Sequence, residues 1–425
     1  MNRKQFLQQV TTFIRSKPAQ QHVEKELNGH IQHAKKAWMD KGYEEAQAEA
    51  LAIEHMGNPM TLGQELGKVH KPKVDWLMIG LVAMLLACSF LPLIAVAPYS
   101  LFGEGMLLWR HAIYTCLAVI IIVCFMLFDV RKLMTRNFIF YVIAILFALL
   151  LYSTHMIQGT RFFFIGSWKV SVWHTLPLLC IAWAILFSNS KVKLWKALLF
   201  VSISFIVIGI TGNIASLLVF SVMSLIMLLN GHFEKKQKIA MIIGVFTAII
   251  AFIAWIVVSI WNGGIRLYQL ERVLGFLKPE EYADGSGWIY LRVNEVIANA
   301  KWFGAGGAEG TFIESSTDFA FLQLLKYYGY FIGIIVAILL LVLIMRMWKL
   351  SVNQPHSFAK LLVVGASTLF ATQALYALAM SAGLAPIMSI PMPFMTYGLT
   401  PTVTNAFLIG LVLSVYRRKS YIFSA

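Results

Sequence analysis

The sequence predicts an all-α, polytopic membrane protein with about ten membrane-spanning helices behind a small N-terminal helical bundle. Three observations carry this reading. Hydrophobic residues make up 59% of the 425-residue chain and charged residues 13%, with a mean hydropathy of +0.73, a balance outside that of water-solvated domains. Apolar runs recur from Trp76 to Tyr416, and roughly 18 or more such residues cross a hydrocarbon core of about 30 Å as a helix. The basic residues behind the formal net charge of +15 sit largely between these runs, which is membrane topology and not a nucleic-acid patch.

The first domain is expected at residues 1–73, a cytoplasmic three-helix prefix. It is polar and has no apolar segment of signal-peptide type. Its helices are expected over Arg3–Ser16, Pro18–Lys41 and Tyr43–Gly67, with breaks at Ser16-Lys17-Pro18 and Lys41-Gly42-Tyr43 and an interruption at Gly57-Asn58-Pro59. Val23, Leu27, Ile31 and Ala34 recur at helical spacing and give the middle helix one apolar face. The stretch Gly42-Tyr43-Glu44-Glu45-Ala46 with His55-Met56-Gly57-Asn58-Pro59 resembles the prefix domain fused to some bacterial permeases. That likeness implies either a regulatory module or a passive cap, and no chemistry.

The second domain, residues 74–419, carries the spans, followed by a cytoplasmic tail at 420–425. Apolar runs centre near Leu86, Val119, Ile145, Leu179, Ile206, Met223, Ile249, Ile335, Phe370 and Leu411. Basic clusters mark alternate junctions: Arg131 with Lys132, Lys191 with Lys193, Lys235 with Lys236, Arg346 with Lys349, and Arg417 with Arg418. These junctions are expected in the cytoplasm, with both termini. The connection 262–316, between the seventh and eighth spans, is then a large extracellular loop, long enough to suggest a function. The four cysteines, all inside apolar runs and without metal-ligand spacing, read as filler.

Ionisable residues at membrane depth are costly, so the few present are informative. Glu314 and Asp318 stand where the large loop enters the eighth span. A helix beginning near Ser316 or Thr317 would place Asp318 in its first turn, where the dipole favours a carboxylate whether or not it reacts.

An ordered set of motifs surrounds these acids. Tyr268-Gln269-Leu270-Glu271-Arg272, Phe276-Leu277-Lys278-Pro279-Glu280, Gly304-Ala305-Gly306 and Glu314-Ser315-Ser316-Thr317-Asp318-Phe319 follow one another through the large loop. Gly383-Leu384-Ala385-Pro386 and Ile390-Pro391-Met392-Pro393-Phe394-Met395-Thr396-Tyr397-Gly398 precede the last span, and Gly159-Thr160-Arg161-Phe162 follows the third. Together they resemble the FtsW, RodA and SpoVE family of shape, elongation, division and sporulation proteins, over roughly residues 75–419. The resemblance implies a peptidoglycan glycosyltransferase that polymerises lipid II, the lipid-linked disaccharide-pentapeptide, beside a single-span class B penicillin-binding transpeptidase in the bacterial cytoplasmic membrane.

The chemistry so implied needs a base for the attacking sugar hydroxyl and cations for the departing pyrophosphate. The resemblance assigns Asp318 as the catalytic carboxylate, with Glu314 as its helper, and Arg161 as a substrate-binding cation. Arg272 and Lys301 are further cation candidates from the large loop, and Thr396 a further substrate contact from the last signature. No cofactor is required by any motif, and a divalent cation beside the acids is left open. The chain also departs from the family pattern. Ser171-Val172-Trp173-His174 stands where Gln-Pro-Ser-Glu is usual, Asn213 where Asp is usual, and Lys326 and Tyr327 near an acidic pair. These substitutions keep two other readings open, a non-catalytic scaffold or regulator of a transpeptidase, and a precursor flippase.

Overall fold

The computed structural model describes residues 1–14, 17–69, 73–96, 104–135, 138–157, 160–166, 168–261, 271, 274–305 and 317–418. It divides into two compact units, Met1–Asp75 with Val415–Ala425, and Trp76–Ser414.

The prefix holds four helices where the sequence suggested three: α1 (Arg3–Thr12), α2 (Lys17–Met39), α3 (Glu45–His55) and α4 (Pro59–Val69). The interruption at Gly57-Asn58-Pro59 is a full helix boundary. Gly57 takes φ +80°, the Asn58 side-chain oxygen accepts the Met60 N–H at 2.9 Å, and Pro59 opens the new helix, where its missing N–H costs nothing. Phe6, Val10, Val23 and Ile31 are buried in one core with Ala52 and Ile53. Gly63 lets α4 approach α1, since a Cβ there would lie 2.8 Å from the Val10 carbonyl oxygen.

In the second unit every expected span centre falls in a helix. These are α5 (Trp76–Cys88), continued by α6 (Phe90–Val96), α7 (Glu104–Leu127), a single turn α8 (Arg131–Met134), α9 (Ile139–Tyr152), α10 (Thr175–Ser188), α11 (Leu194–Ile210), α12 (Ile214–Asn230) and α13 (Lys235–Trp261). Then come α14 (Trp288–Asn299), α15 (Ala320–Val352), α16 (Ser357–Ser381) and α17 (Leu399–Arg417). Among the described residues five helices are long and apolar enough to cross a membrane, Trp76–Ala95, Gly105–Leu127, Ala320–Val352, Ser357–Ser381 and Leu399–Arg417, with four shorter apolar helices beside them. Exposed apolar side chains such as Leu146, Ile206, Phe246 and Ile338 cover the helix surfaces, as lipid-facing positions require.

Helix α16 is the centre of the bundle and packs on α10, α12 and α15. Its Gly365 makes the close approach possible: a Cβ there would meet the Cys180 and Met227 sulfurs at 2.5 and 2.6 Å. Small residues at such contacts substitute packing for the hydrophobic drive that lipid does not supply.

Two features depart from a plain bundle. After α9 the chain forms a three-stranded antiparallel sheet, β1 (Met156–Ile157), β2 (Thr160–Ile165) and β3 (Trp168–Ser171). Ile165 pairs with Trp168, so a two-residue turn joins β2 to β3, with Gly166 at φ +62°. The consecutive aromatics Phe162, Phe163 and Phe164 favour the extended chain here. The large loop, among its described residues, also carries structure of its own. Its helix α14 buries Val293 and Val296 against Phe319, Leu322 and Leu325, so this connection packs its own small core beside the start of α15.

Helix α15 is broken once, at Gly329, which takes φ +82°. The amides released there are not left unpaired. Tyr330 N–H donates to the Lys301 carbonyl at 2.9 Å and Phe331 N–H to the Trp302 carbonyl at 3.1 Å. A Cβ at 329 would sit 2.6 Å from that Lys301 oxygen, so only glycine fits the junction.

Candidate active site

Between α7, the sheet and the segment that leads into α17, the chain lines a cavity of about 540 Å³, within the size range of small-molecule sites. Its wall joins segments far apart in sequence: Arg110 and Tyr114 of α7, Thr160 to Ser171 of the sheet, Asn213 before α12, Asp318 before α15, Gln373 of α16 and Ser389 to Thr404 around the start of α17.

Asp318 occupies a short 3₁₀ turn, Thr317–Phe319, whose Phe319 is buried and leads directly into α15. Burial pushes its carboxyl above the usual carboxylate range, while a hydrogen bond with Ser389 and the charge of Lys169 hold it back. Arg161 is fixed by its strand and by its own contacts. Its N–H donates to the Thr211 carbonyl, one guanidinium nitrogen donates to the carbonyls of Tyr152 and Thr154 at 2.6 and 2.7 Å, and the group lies 4.5 Å over the Tyr152 ring. Its Nε is buried without a partner.

Thr396 lines the same cavity and is buried. Its hydroxyl accepts the Met392 N–H at 2.8 Å and so closes the turn Met392–Thr396, in which Phe394 holds φ +61°. A non-glycine residue in that region is strained backbone kept by its surroundings.

The structure thus brings Asp318, Arg161 and Thr396 together. It does not bring Lys301 with them: that residue is exposed and absent from the cavity wall, and its carbonyl serves the break at Gly329. Glu314 and Arg272 lie outside the described residues.

Two cations in the wall escaped the sequence reading. Lys169, on β3, stands 4.0 Å over the Phe162 ring. Arg110, inside α7, is hydrogen-bonded with Tyr397, which also meets Tyr114. A charged residue within an apolar span was the available signal for Arg110, whereas nothing short of the hairpin register points Lys169 at the cavity. Asn213, where an acid was usual, keeps the capping role, accepting the Ser216 N–H at 2.9 Å. His174 likewise turns inward to the Ser171 main chain.

Among the described residues the cavity presents one carboxylate beside three cationic side chains, and no group of three or more His, Cys, Asp or Glu is placed to hold a metal ion.

Fold and cavity together define a polytopic membrane protein with a charged pocket at one end of its helices. The chain belongs to the FtsW, RodA and SpoVE family: the family model described as cell cycle protein matches residues 73–421. Among curated relatives it is 28% identical over 189 residues to a probable peptidoglycan glycosyltransferase FtsW of Trichlorobacter lovleyi, covering 43% of this chain and 48% of that one. It is 26% identical over 159 residues to stage V sporulation protein E of Bacillus subtilis, covering 36% and 43%. The chain thus spans about half the length of the curated relatives it matches. Among solved structures it resembles a chain from work on the coordination of polymerization and crosslinking by a peptidoglycan synthase complex, with TM-score 0.69, 22% identity, and coverage of 82% of this chain and 98% of that one. It also resembles the rod shape determining protein RodA of Thermus thermophilus, with TM-score 0.59, 17% identity, and coverage of 81% and 97%. At these identities the structural likeness establishes the fold.

Proposed function

We propose that this protein is a peptidoglycan glycosyltransferase that polymerises lipid II at the membrane surface, with the cavity around Asp318 as its active site. The observation that carries the reading is the meeting of one half-buried carboxylate with Arg110, Arg161 and Lys169 in a single cavity. Membership of a family whose relatives include probable peptidoglycan glycosyltransferases supports it.

In this reading Asp318 accepts the proton of the acceptor sugar's hydroxyl as that oxygen attacks the donor's anomeric carbon with inversion. The cations offset the charge that develops on the departing polyprenyl pyrophosphate. Arg161, anchored through one guanidinium nitrogen, is the most fixed of the three and suits positioning. Lys169 stands close enough to influence both the base and the pyrophosphate. Glu314 helps orient the acceptor. Basic junctions in the cytoplasm put both termini inside and the cavity outside, where glycan strands are assembled. A single-span class B transpeptidase is the expected partner, as the likeness to a peptidoglycan synthase complex supports.

The scaffold reading rests on one observation, the loss of acids at His174, Asn213 and Lys326. A glycan-strand assay with purified protein and lipid II, with and without its co-purified partner, separates the two. Strands that require Asp318 support the enzyme, and no strands in either condition support the scaffold.

A further inference from the structure

Two side-chain amides line the Asp318 cavity, Asn213 just ahead of α12 and Gln373 on α16. Both are held by their oxygens. The Asn213 oxygen accepts the Ser216 N–H at 2.9 Å as the cap of α12. The Gln373 oxygen accepts from the Asn405 side-chain nitrogen at 3.4 Å, and the same nitrogen donates to the Pro401 carbonyl at 2.9 Å. That carbonyl settles which way the Asn405–Gln373 pair faces. Turning Asn405 over would set its oxygen against the Pro401 carbonyl, and turning Gln373 over would set its NH₂ against the NH₂ of Asn405.

Each cavity amide therefore keeps its NH₂ for a partner, and among the described residues it has none. Gln373 is 1% exposed. A donor so deeply buried is costly to leave without an acceptor, so in a cavity wall it marks the place of a ligand atom. Trp173, 8% exposed, lines the same cavity from the turn that opens α10. Helices α10, α12 and α16 pack on one another, so these three side chains come from one packed group. The cations Arg110, Arg161 and Lys169 come instead from α7 and the sheet.

The chemistry asked for by this neutral set is specific. A phosphate is matched by the cations, and an ammonium has only donors to set against donors. An amide carbonyl accepts without donating and carries no charge, while an aromatic wall suits the apolar face of a ring. We propose that this part of the cavity is a subsite for an N-acylated sugar, whose acylamino carbonyl accepts from the Gln373 NH₂, with Asn213 as a second donor to the same sugar and Trp173 against its ring. The proposal rests on the glycosyltransferase reading of the cavity and adds the group by which its sugar is told from an unacylated one. Gln373 is then a specificity-determining residue, and Asn405 is the residue that positions it.

The test uses the purified full chain with its co-purified partner. It compares kcat/KM for lipid II and for an analogue with hydroxyl in place of the sugar acylamino groups, which is too short to reach the same donor. The unmodified protein should favour lipid II about tenfold, the effect of one well-placed neutral hydrogen bond. Gln373→Met keeps the length of the side chain and removes the donor. It should lose most of that preference, chiefly through a higher KM for lipid II, while the pH profile set by Asp318 stays in place. Asn213→Asp retains the cap of α12 and should also lower the preference, so it decides the matter by the same ratio if Gln373→Met fails to fold. Equal turnover of the two substrates by the unmodified protein, or a preference left intact in the folded variants, would overturn the subsite. If the unmodified protein turns over neither substrate, the glycosyltransferase reading fails by itself. Retention of lipid II over the analogue, read by native mass spectrometry, then decides the subsite separately.

Discussion

The Trp168 indole N–H donates to the Thr400 hydroxyl at 3.2 Å, and that hydroxyl in turn donates to the Lys169 carbonyl at 2.6 Å. One threonine at the start of α17 therefore fixes the strand that carries a cavity lysine. Thr400→Val keeps the shape and removes both bonds. It should lower stability by about 1 kcal/mol, the net worth of a partly exposed hydrogen bond, seen as a lower melting temperature. Glycan synthesis should fall further than in a Trp168→Phe protein, which loses only the first bond.

Asp318→Asn preserves shape and hydrogen bonding but cannot take a proton at neutral pH. The expected loss of lipid II polymerisation is about 10²–10⁴-fold, typical of removing a general base, with expression, insertion and partner binding near normal. Glu314→Gln should have a smaller effect. Polymerisation by the Asp318→Asn protein at close to the unmodified rate would remove Asp318 from the base role.

The pH dependence follows from the direction of the Asp318 shift. Burial raises its folded-state pKa above the unfolded value, so the contribution of this group to stability is full below the unfolded carboxylate pKa and is lost as pH rises through the folded one. Activity runs the other way, because the base works deprotonated. The acid limb of the rate profile should lie above the ordinary carboxylate range, and Lys169→Met, which removes a charge that holds the pKa down, should move that limb to higher pH.

Topology reporters fused after Lys132, Lys238 and Lys349 should report the cytoplasm, and one near Gly285 the outside. A cytoplasmic signal at Gly285 would place the Asp318 cavity in the wrong compartment for glycan assembly.

Residues 1–70 should fold alone, since their core is made within the prefix, and circular dichroism of the fragment should show helix. Gly63→Val, which drives a side chain against the Val10 carbonyl and the Phe13 ring, should abolish that signal or lower its melting temperature. A random-coil spectrum for the unmodified fragment would show that the prefix needs the rest of the chain.

The helices were legible because lipid imposes one crude rule, long apolar runs, and each expected centre lies in a helix. That Asp318, Arg161 and Thr396 share one cavity agrees with the order that their motifs keep along the chain. What sequence could not supply was convergence across distance. Lys169 reaches the cavity only through the register that pairs Ile165 with Trp168, and Arg110 only through the packing of α7 beside Tyr397. Lys301 was named for its charge, while its contribution to the fold comes from a main-chain oxygen that any residue possesses. The fourth prefix helix was hidden because Gly57-Asn58-Pro59 reads equally as a pause or as an end.

The break at Gly329 divides α15 into a short arm that begins next to Asp318 and a long shaft that continues to Val352. Because the junction is pinned by Lys301 and Trp302, the short arm answers to the large loop as well as to the shaft. The pinned amides, those of Tyr330 and Phe331, open the shaft, so loop and shaft share one joint. In mechanical terms Gly329 is the elbow of a jointed rod, and the main-chain carbonyls of Lys301 and Trp302 are its socket.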